Sequence, residues 1–233
     1  MHEMGIKFIY ERACFMKINA NEKIETEHFR ENLQNLFDTA FASEDYVSLR
    51  EHYKELRNIE FDTPLETAKE LIDISALVEN LTIACDIIVS DMGVNFIFCG
   101  NEVSHIYGNG KALTKAILNL LSNAYLHSKG RLITIKTTEN DEYVKIEVKN
   151  EGIFSALKFG KGLSFVNKIC RSMNGVLLIE TNKFSTNSVM CINKSTATEY
   201  RNFYTPQFYE YLYDRLSPVY IEMFGMTKNK AEE

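Results

Sequence analysis

The segment AILNLLSNAYLHS, residues 116–128, decides how this chain is read. Ala116, Ile117, Leu120, Leu121 and Ala124 recur, with Leu113 upstream, at spacings of three and four. That places them on one face of a helix predicted over residues 111–127. Asn119 and Asn123 are four apart and so stack at the edge of the apolar stripe. Two carboxamides in that position need partners, because a buried unpaired amide costs about 1–3 kcal/mol. Neighbouring backbone or water would serve a lone pair of this kind. A magnesium ion with phosphate oxygens would serve it too, since magnesium takes oxygen ligands, keeps several waters and uses few protein groups.

Working outward, residues 131–137 and 143–149 alternate apolar and polar side chains, as half-buried strands do, with Asp141 and Glu142 as the tight connection. A glycine-containing loop over residues 150–162 leads into a helix predicted over 163–173. Asn174-Gly175 ends it, with the glycine expected to take the left-handed cap. Strands over 176–181 and 188–193 follow. Upstream, residues 94–99 read as a strand. Asp62-Thr63-Pro64 breaks the chain before a helix that Thr63 and Glu66 would cap and that carries Ile72, Leu77, Val78 and Leu81. Mixed strands with helices on one face predict an α+β fold, a two-layer α/β sandwich spanning residues 63–194.

Residues 1–62 predict two amphipathic helices. Phe29, Leu33, Leu36, Phe37, Ala40 and Phe41 mark one, and Leu49, Tyr53, Leu56 and Ile59 the other. Such a hairpin either packs on its own domain or forms a homodimer. Residues 195–233 hold a dense set of aromatics, including Phe203, Tyr204, Phe208, Tyr209, Tyr211, Tyr213, Tyr220 and Phe224. Aromatics at that density leave water, so the extension is expected to pack on the protein's own domain rather than on a partner.

The formal net charge of −6 argues against nonspecific nucleic-acid or acidic-membrane binding. The most apolar run, residues 81–89, is short and contains Asp86, whereas a membrane span needs about 20 apolar residues. The N-terminus has no basic segment leading into an apolar block, as a secretory signal would. Five scattered cysteines form no CxxC pair, so free thiols in a reducing cytoplasm are the expectation. With only 3 prolines and 11 glycines, low-complexity linkers are not expected.

The NLLSNA wording resembles the N box of the ATPase superfamily that unites gyrase, the ninety-kilodalton heat-shock chaperone, mismatch-repair proteins and histidine kinases, in the form typical of sensor histidine kinases. Three further elements follow in that family's order. Asn150-Glu151-Gly152 stands where the family has its Asp-x-Gly box. Gly160-Lys161-Gly162-Leu163-Ser164 resembles the second glycine box opening its helix. Met173-Asn174-Gly175-Val176, then Ile179-Glu180-Thr181, resembles the closing helix-to-strand turn. A lone GxG would be weak; an ordered set on the predicted elements is specific. The resemblance spans residues 63–194 and implies a Bergerat-type ATP-binding fold with ATP and Mg2+ as ligands.

Under that resemblance Asn123 is the magnesium ligand, and Asn119 assists the ion and the triphosphate as the catalytic residue. Asn150 meets the adenine amino group, where the family usually carries Asp, and Gly152 lets the base lie against the backbone. Gly160 and Gly162 allow close approach of phosphates, which the helix opening at Leu163 and Ser164 attracts with its amides and dipole. Lys161 or Lys158 adds a charge-assisted contact, and His127 stands near the position where a family lysine is common. The function implied is ATP-dependent phosphorylation of a histidine in a cytoplasmic signalling protein, with a response regulator as downstream partner. The acceptor candidates are His2, followed by Glu3, and His28. Two alternatives share the fold: a regulator that acts by protein binding, and a serine kinase of the anti-sigma type.

Overall fold

Side-chain alternation, regular through residues 132–139 and 143–150, builds the larger of two sheets. The computed structural model describes residues 35, 38, 49, 51–54, 56–57, 70–152, 160–194 and 203–224. In chain order these form β1 (Glu70–Ile72), α1 (Ile74–Val89), a 3-10 turn (Ser90–Met92), β2 (Asn95–Phe98), β3 (Ile106–Gly108) and α2 (Gly110–His127). Then come β4 (Leu132–Glu139), β5 (Tyr143–Glu151), α3 (Lys161–Ser172), β6 (Val176–Thr181), β7 (Ser185–Asn193), β8 (Phe203–Tyr204), α4 (Phe208–Tyr213) and α5 (Pro218–Met223). The large sheet has the order β2-β4-β5-β7-β6. Its β2–β4 pair is parallel, with Phe96 opposite Ile133, and the other pairs are antiparallel.

Ile133, Ile135, Val144, Ile146, Val148, Met190 and Ile192 point from this sheet into one core, where each is buried. Helices α1, α2 and α3 supply the facing layer through Leu77, Leu81, Leu113, Ile117, Leu121, Val166 and Ile169. The α+β two-layer sandwich expected from the sequence is therefore the observed one. Asp86, the lone acid in the apolar run, accepts a hydrogen bond from the Phe96 amide at 2.8 Å and ties α1 to β2. Among the described residues no helix is long and apolar enough to cross a membrane.

The small sheet, in the order β3-β1-β8, departs from the sequence reading. Ile72 lies in strand β1 rather than in a helix, and Asp73 opens α1, its carboxylate accepting from the Ala76 amide at 3.0 Å. Three residues of strand are too few for any periodicity to register. The Thr63–Glu66 cap lies outside the described residues. At the end of α3 the left-handed residue is Asn174, with φ 52°, not Gly175. Gly175 is required for a different reason: a Cβ there would overlap the Cys191 carbonyl of β7.

The described part of the extension, residues 203–224, packs on its own domain as expected, although Phe203, Tyr209 and Tyr213 stay exposed. Tyr211, Val219 and Met223 join the main core, with α4 against α1 and α5 against both α1 and α2. Tyr220, Ile221 and Phe224 form a second cluster with Leu49, Tyr53 and Leu56. Tyr53 stacks on Tyr220 at 6.1 Å between centroids, and its hydroxyl donates to the Arg215 carbonyl at 2.9 Å. Residues 49, 51–54 and 56–57 are helical, within the second of the two predicted N-terminal helices. Most of the first predicted helix, and the hairpin as a whole, lies outside the described residues.

Candidate functional site

Helix α2 starts at Asn109, whose side chain accepts from the Ala112 amide at 2.8 Å, so its phase along the sheet is fixed from the first turn. Nearly three turns on, Asn119 donates through Nδ2 to the Lys115 carbonyl at 2.8 Å. Asn123 donates likewise to the Asn119 carbonyl at 2.6 Å. Each carboxamide is thereby oriented by its own helix, with nitrogen committed and oxygen turned away. Asn119 Oδ1 is buried and has no hydrogen-bond partner. Gly162 of α3 lies directly over it: a Cβ at that position would overlap Asn119 Oδ1 and reach within 3.8 Å of Asn123 Nδ2. Part of the reason for glycine at 162 thus lies inside the protein, in the close crossing of α2 and α3.

Asn123 and His127, one turn apart, form one wall of a cleft. The opposite wall comes from the sheet: Asn150 at the end of β5 and Thr186 and Ser188 of β7. Ala124, Leu163 and Ile179 make its apolar lining. Open mouth included, the cleft holds about 250 Å³.

Asn150 stands where strand alternation calls for an apolar residue, after Val144, Ile146 and Val148, and is 4% exposed. Its neighbours in the sheet are Ile133 and Thr186. Its Nδ2 has no hydrogen-bond partner. Thr186 donates instead to the Gly152 carbonyl at 2.9 Å, and the Gly152 amide donates to the Phe184 carbonyl at 2.8 Å. Gly152 has φ 137°, and a Cβ there would overlap the His127 carbonyl. Only glycine closes β5 against the end of α2 in this way.

Helix α3 opens at Gly160, extended at φ −68° and ψ 177°, with no side-chain cap. A Cβ at Gly160 would meet nothing within 4 Å. The first helix amides have no intrahelical partner, and their dipole end favours an anion. Lys161 and Ser164 are exposed on this first turn, while Leu163 turns inward to the cleft. Lys158 lies outside the described residues, as do His2 and His28.

The structure thus brings Asn123, His127, Asn150 and Leu163 together, with Gly152 and Gly162 holding the walls. Asn119 does not line the cleft; it is fully buried behind Gly162. Sequence reasoning missed Thr186, Ser188 and Ile179. The signal for the first two was the same one that marks Asn150, namely polar residues at inward positions of a strand that Met190 and Ile192 continue as apolar. The donor set suits a magnesium ion that is shared with phosphate, because the half-buried Asn123 offers a carboxamide oxygen. Among the described residues no cluster of three or more His, Cys, Asp or Glu converges.

The structure is similar to the Acinetobacter baumannii histidine kinase AdeS, with TM-score 0.51 and 15% identity over 84% of this chain and 98% of that one. It is also similar to full-length ShkA in complex with AMPPNP, with TM-score 0.54 and 14% identity over 84% of this chain and 45% of that one. No protein-family profile and no curated protein sequence matches the chain.

Proposed function

Starting from a chain that carries the fold of histidine kinases, we propose that it binds MgATP in the cleft between α2, α3 and the β5–β7 edge and serves in phosphotransfer signalling. The observation that carries this reading is Asn150, a polar residue at a core position of the cleft wall, with the half-buried Asn123 across from it. Asn119 and Asn150 each keep a buried polar atom unpartnered, and Asn123 turns its oxygen away from the helix. At about 1–3 kcal/mol for an unpaired buried group, the Asn150 amide that borders the cleft is a standing cost that a polar ligand would offset, whereas Asn119 lies behind Gly162 and out of its reach. The base enters between Asn150 and the apolar lining, and the phosphates reach the start of α3 with Lys161 beside it. Asn123 holds magnesium, which neutralises phosphate charge when bound.

In the catalytic form of this reading, the γ-phosphoryl passes to an imidazole nitrogen of a histidine, in cis or across a homodimer, and ADP leaves. A response-regulator aspartate then receives it. A second reading, a regulator that binds nucleotide or partners without transfer, is favoured by the burial of Asn119, which keeps that side chain from touching a reacting group in this conformation.

Fluorescent ATP titrated into the wild type and Asn123→Ala, each with magnesium and with EDTA, tests the reading. The variant should lose at least about tenfold in affinity with magnesium and change little without it, since tenfold corresponds to about 1.4 kcal/mol. Equal loss in both conditions removes Asn123 from the metal. Radiolabel from γ-labelled ATP on His2 or His28 would select the catalytic form, and binding without label the second.

A further inference from the structure

We propose that Asn150 makes the cleft read both kinds of purine at the 6-position, so that inosine and guanine nucleotides bind alongside adenine nucleotides. This rests on the nucleotide-binding reading above and concerns which base the same site takes.

The three asparagines are held differently. Asn119 and Asn123 have fixed orientations, because each Nδ2 is bonded to the carbonyl four residues earlier. Asn150 has no such anchor. Its Nδ2 is buried with no partner, and the hydroxyl of its cross-strand neighbour Thr186 is spent on the Gly152 carbonyl. Asn150 is 4% exposed and borders the cleft, and no hydrogen bond within the protein holds its buried Nδ2.

A carboxamide carries one acceptor and one double donor, and a half-turn about its last bond exchanges them. Adenine presents an amino donor at the 6-position, and guanine a carbonyl acceptor there. The neighbouring ring nitrogen is complementary in each case, an acceptor in adenine and an N–H in the 6-oxopurines. Asn150 therefore meets the first edge with Oδ1 on the amine and Nδ2–H on the ring nitrogen. After the half-turn it meets the second with Nδ2–H on the carbonyl and Oδ1 taking the ring N–H. Neither orientation breaks a bond within the protein. A carboxylate at this position accepts only, so it would suit the amine and repel the carbonyl.

The test is a calorimetric titration of the wild type with the magnesium complexes of ATP, inosine triphosphate and purine riboside triphosphate. Inosine triphosphate carries the 6-carbonyl without the guanine 2-amino group, and purine riboside triphosphate has no 6-substituent. The proposal expects ATP and inosine triphosphate to bind within about tenfold of each other, with the unsubstituted purine weaker than both by about tenfold, the worth of one hydrogen bond. In Asn150→Asp, ATP should be retained and inosine triphosphate lost by tenfold or more relative to it. Inosine triphosphate more than tenfold weaker than ATP in the wild type overturns the proposal and leaves nucleotide binding standing. So does an unsubstituted purine that binds as well as both. Failure of every nucleotide to bind overturns the underlying reading as well.

Discussion

At Gly152 two independent constraints coincide, a left-handed φ of 137° and a backbone carbonyl, that of His127, where a side chain would begin. Gly152→Ala cannot be relieved by a rotamer change, because the obstacle is backbone. It should cost at least about 1–3 kcal/mol in urea unfolding, the range for strained backbone. Gly162→Ala meets a side-chain oxygen instead, but Asn119 is pinned to the Lys115 carbonyl and has nowhere to turn. Overpacking of about 1–3 kcal/mol is expected there, along with weaker nucleotide binding through the displaced Asn123.

Charge at single residues gives a pH dependence of definite sign. The Glu139 carboxylate accepts from the Ser104 amide at 2.7 Å and pairs with Lys194 at 3.1 Å. These contacts, the Ser104 bond foremost, pull its pKa from 4.5 down to about 2. A depressed carboxyl stabilises the fold fully above its unfolded pKa, and that contribution is lost as pH falls through about 2. Glu139→Gln should therefore flatten the acid limb of the stability–pH curve and leave its neutral region less stable than wild type. An unchanged acid limb would mean that the clasp is not formed in solution.

Among the elements, α5 is coupled to helix α2, which carries Asn119 and Asn123, through a buried acid. Glu222 is nearly inaccessible; Arg57 approaches it through Nη2 at 2.7 Å and Nε at 2.8 Å, and Ser122 donates to the same oxygen at 2.6 Å. Ser122 is the residue before Asn123. Removing one partner of a buried pair leaves an uncompensated charge, so Arg57→Ala should cost about 3–5 kcal/mol. Adding Glu222→Gln should recover part of that loss, and a double-mutant cycle measures how much.

None of this coupling was legible in the sequence. Glu222 is a lone acid among apolar neighbours, and its partners lie 100 and 165 residues away. The helix carrying Asn119 and Asn123 and the strands β4 and β5 were legible, because long amphipathic elements repeat their signal. The short strands β1 and β8 were not. The site divided along the same line. Asn123, His127, Asn150 and Leu163 sit on elements that announce themselves, whereas Thr186 and Ser188 lie at the start of a strand whose predicted beginning came at 188 instead of 185. The glycine at 175 was legible as a position but not as a mechanism, since the contact with Cys191 is long-range.

At the scale of the molecule, the extension and the described N-terminal helical residues sit on the outer side of the α1–α2 layer and bring a second apolar cluster to it. Removal of residues 195–233 would uncover the outer faces of α1 and α2 and strand Leu49, Tyr53 and Leu56. The truncated protein should bind a hydrophobic dye and self-associate in sedimentation velocity. A monomeric, dye-silent truncation would show the extension to be dispensable for the fold. The buried thiols offer a companion probe. Burial raises Cys170 to about 12 and lifts Cys85 well above the ordinary thiol value, while Cys99 is exposed. At pH 8, Cys99 should react with a thiol reagent while Cys85 and Cys170 stay protected until unfolding.

The central claim is that the cleft between α2, α3 and the β5–β7 edge holds a nucleotide through magnesium. It is tested most directly by calorimetric titration of the wild-type protein with a nonhydrolysable ATP analogue, in magnesium and then in EDTA. The account predicts saturable one-to-one binding that weakens by tenfold or more when magnesium is withdrawn. No heat at millimolar nucleotide, or binding indifferent to magnesium, would contradict it.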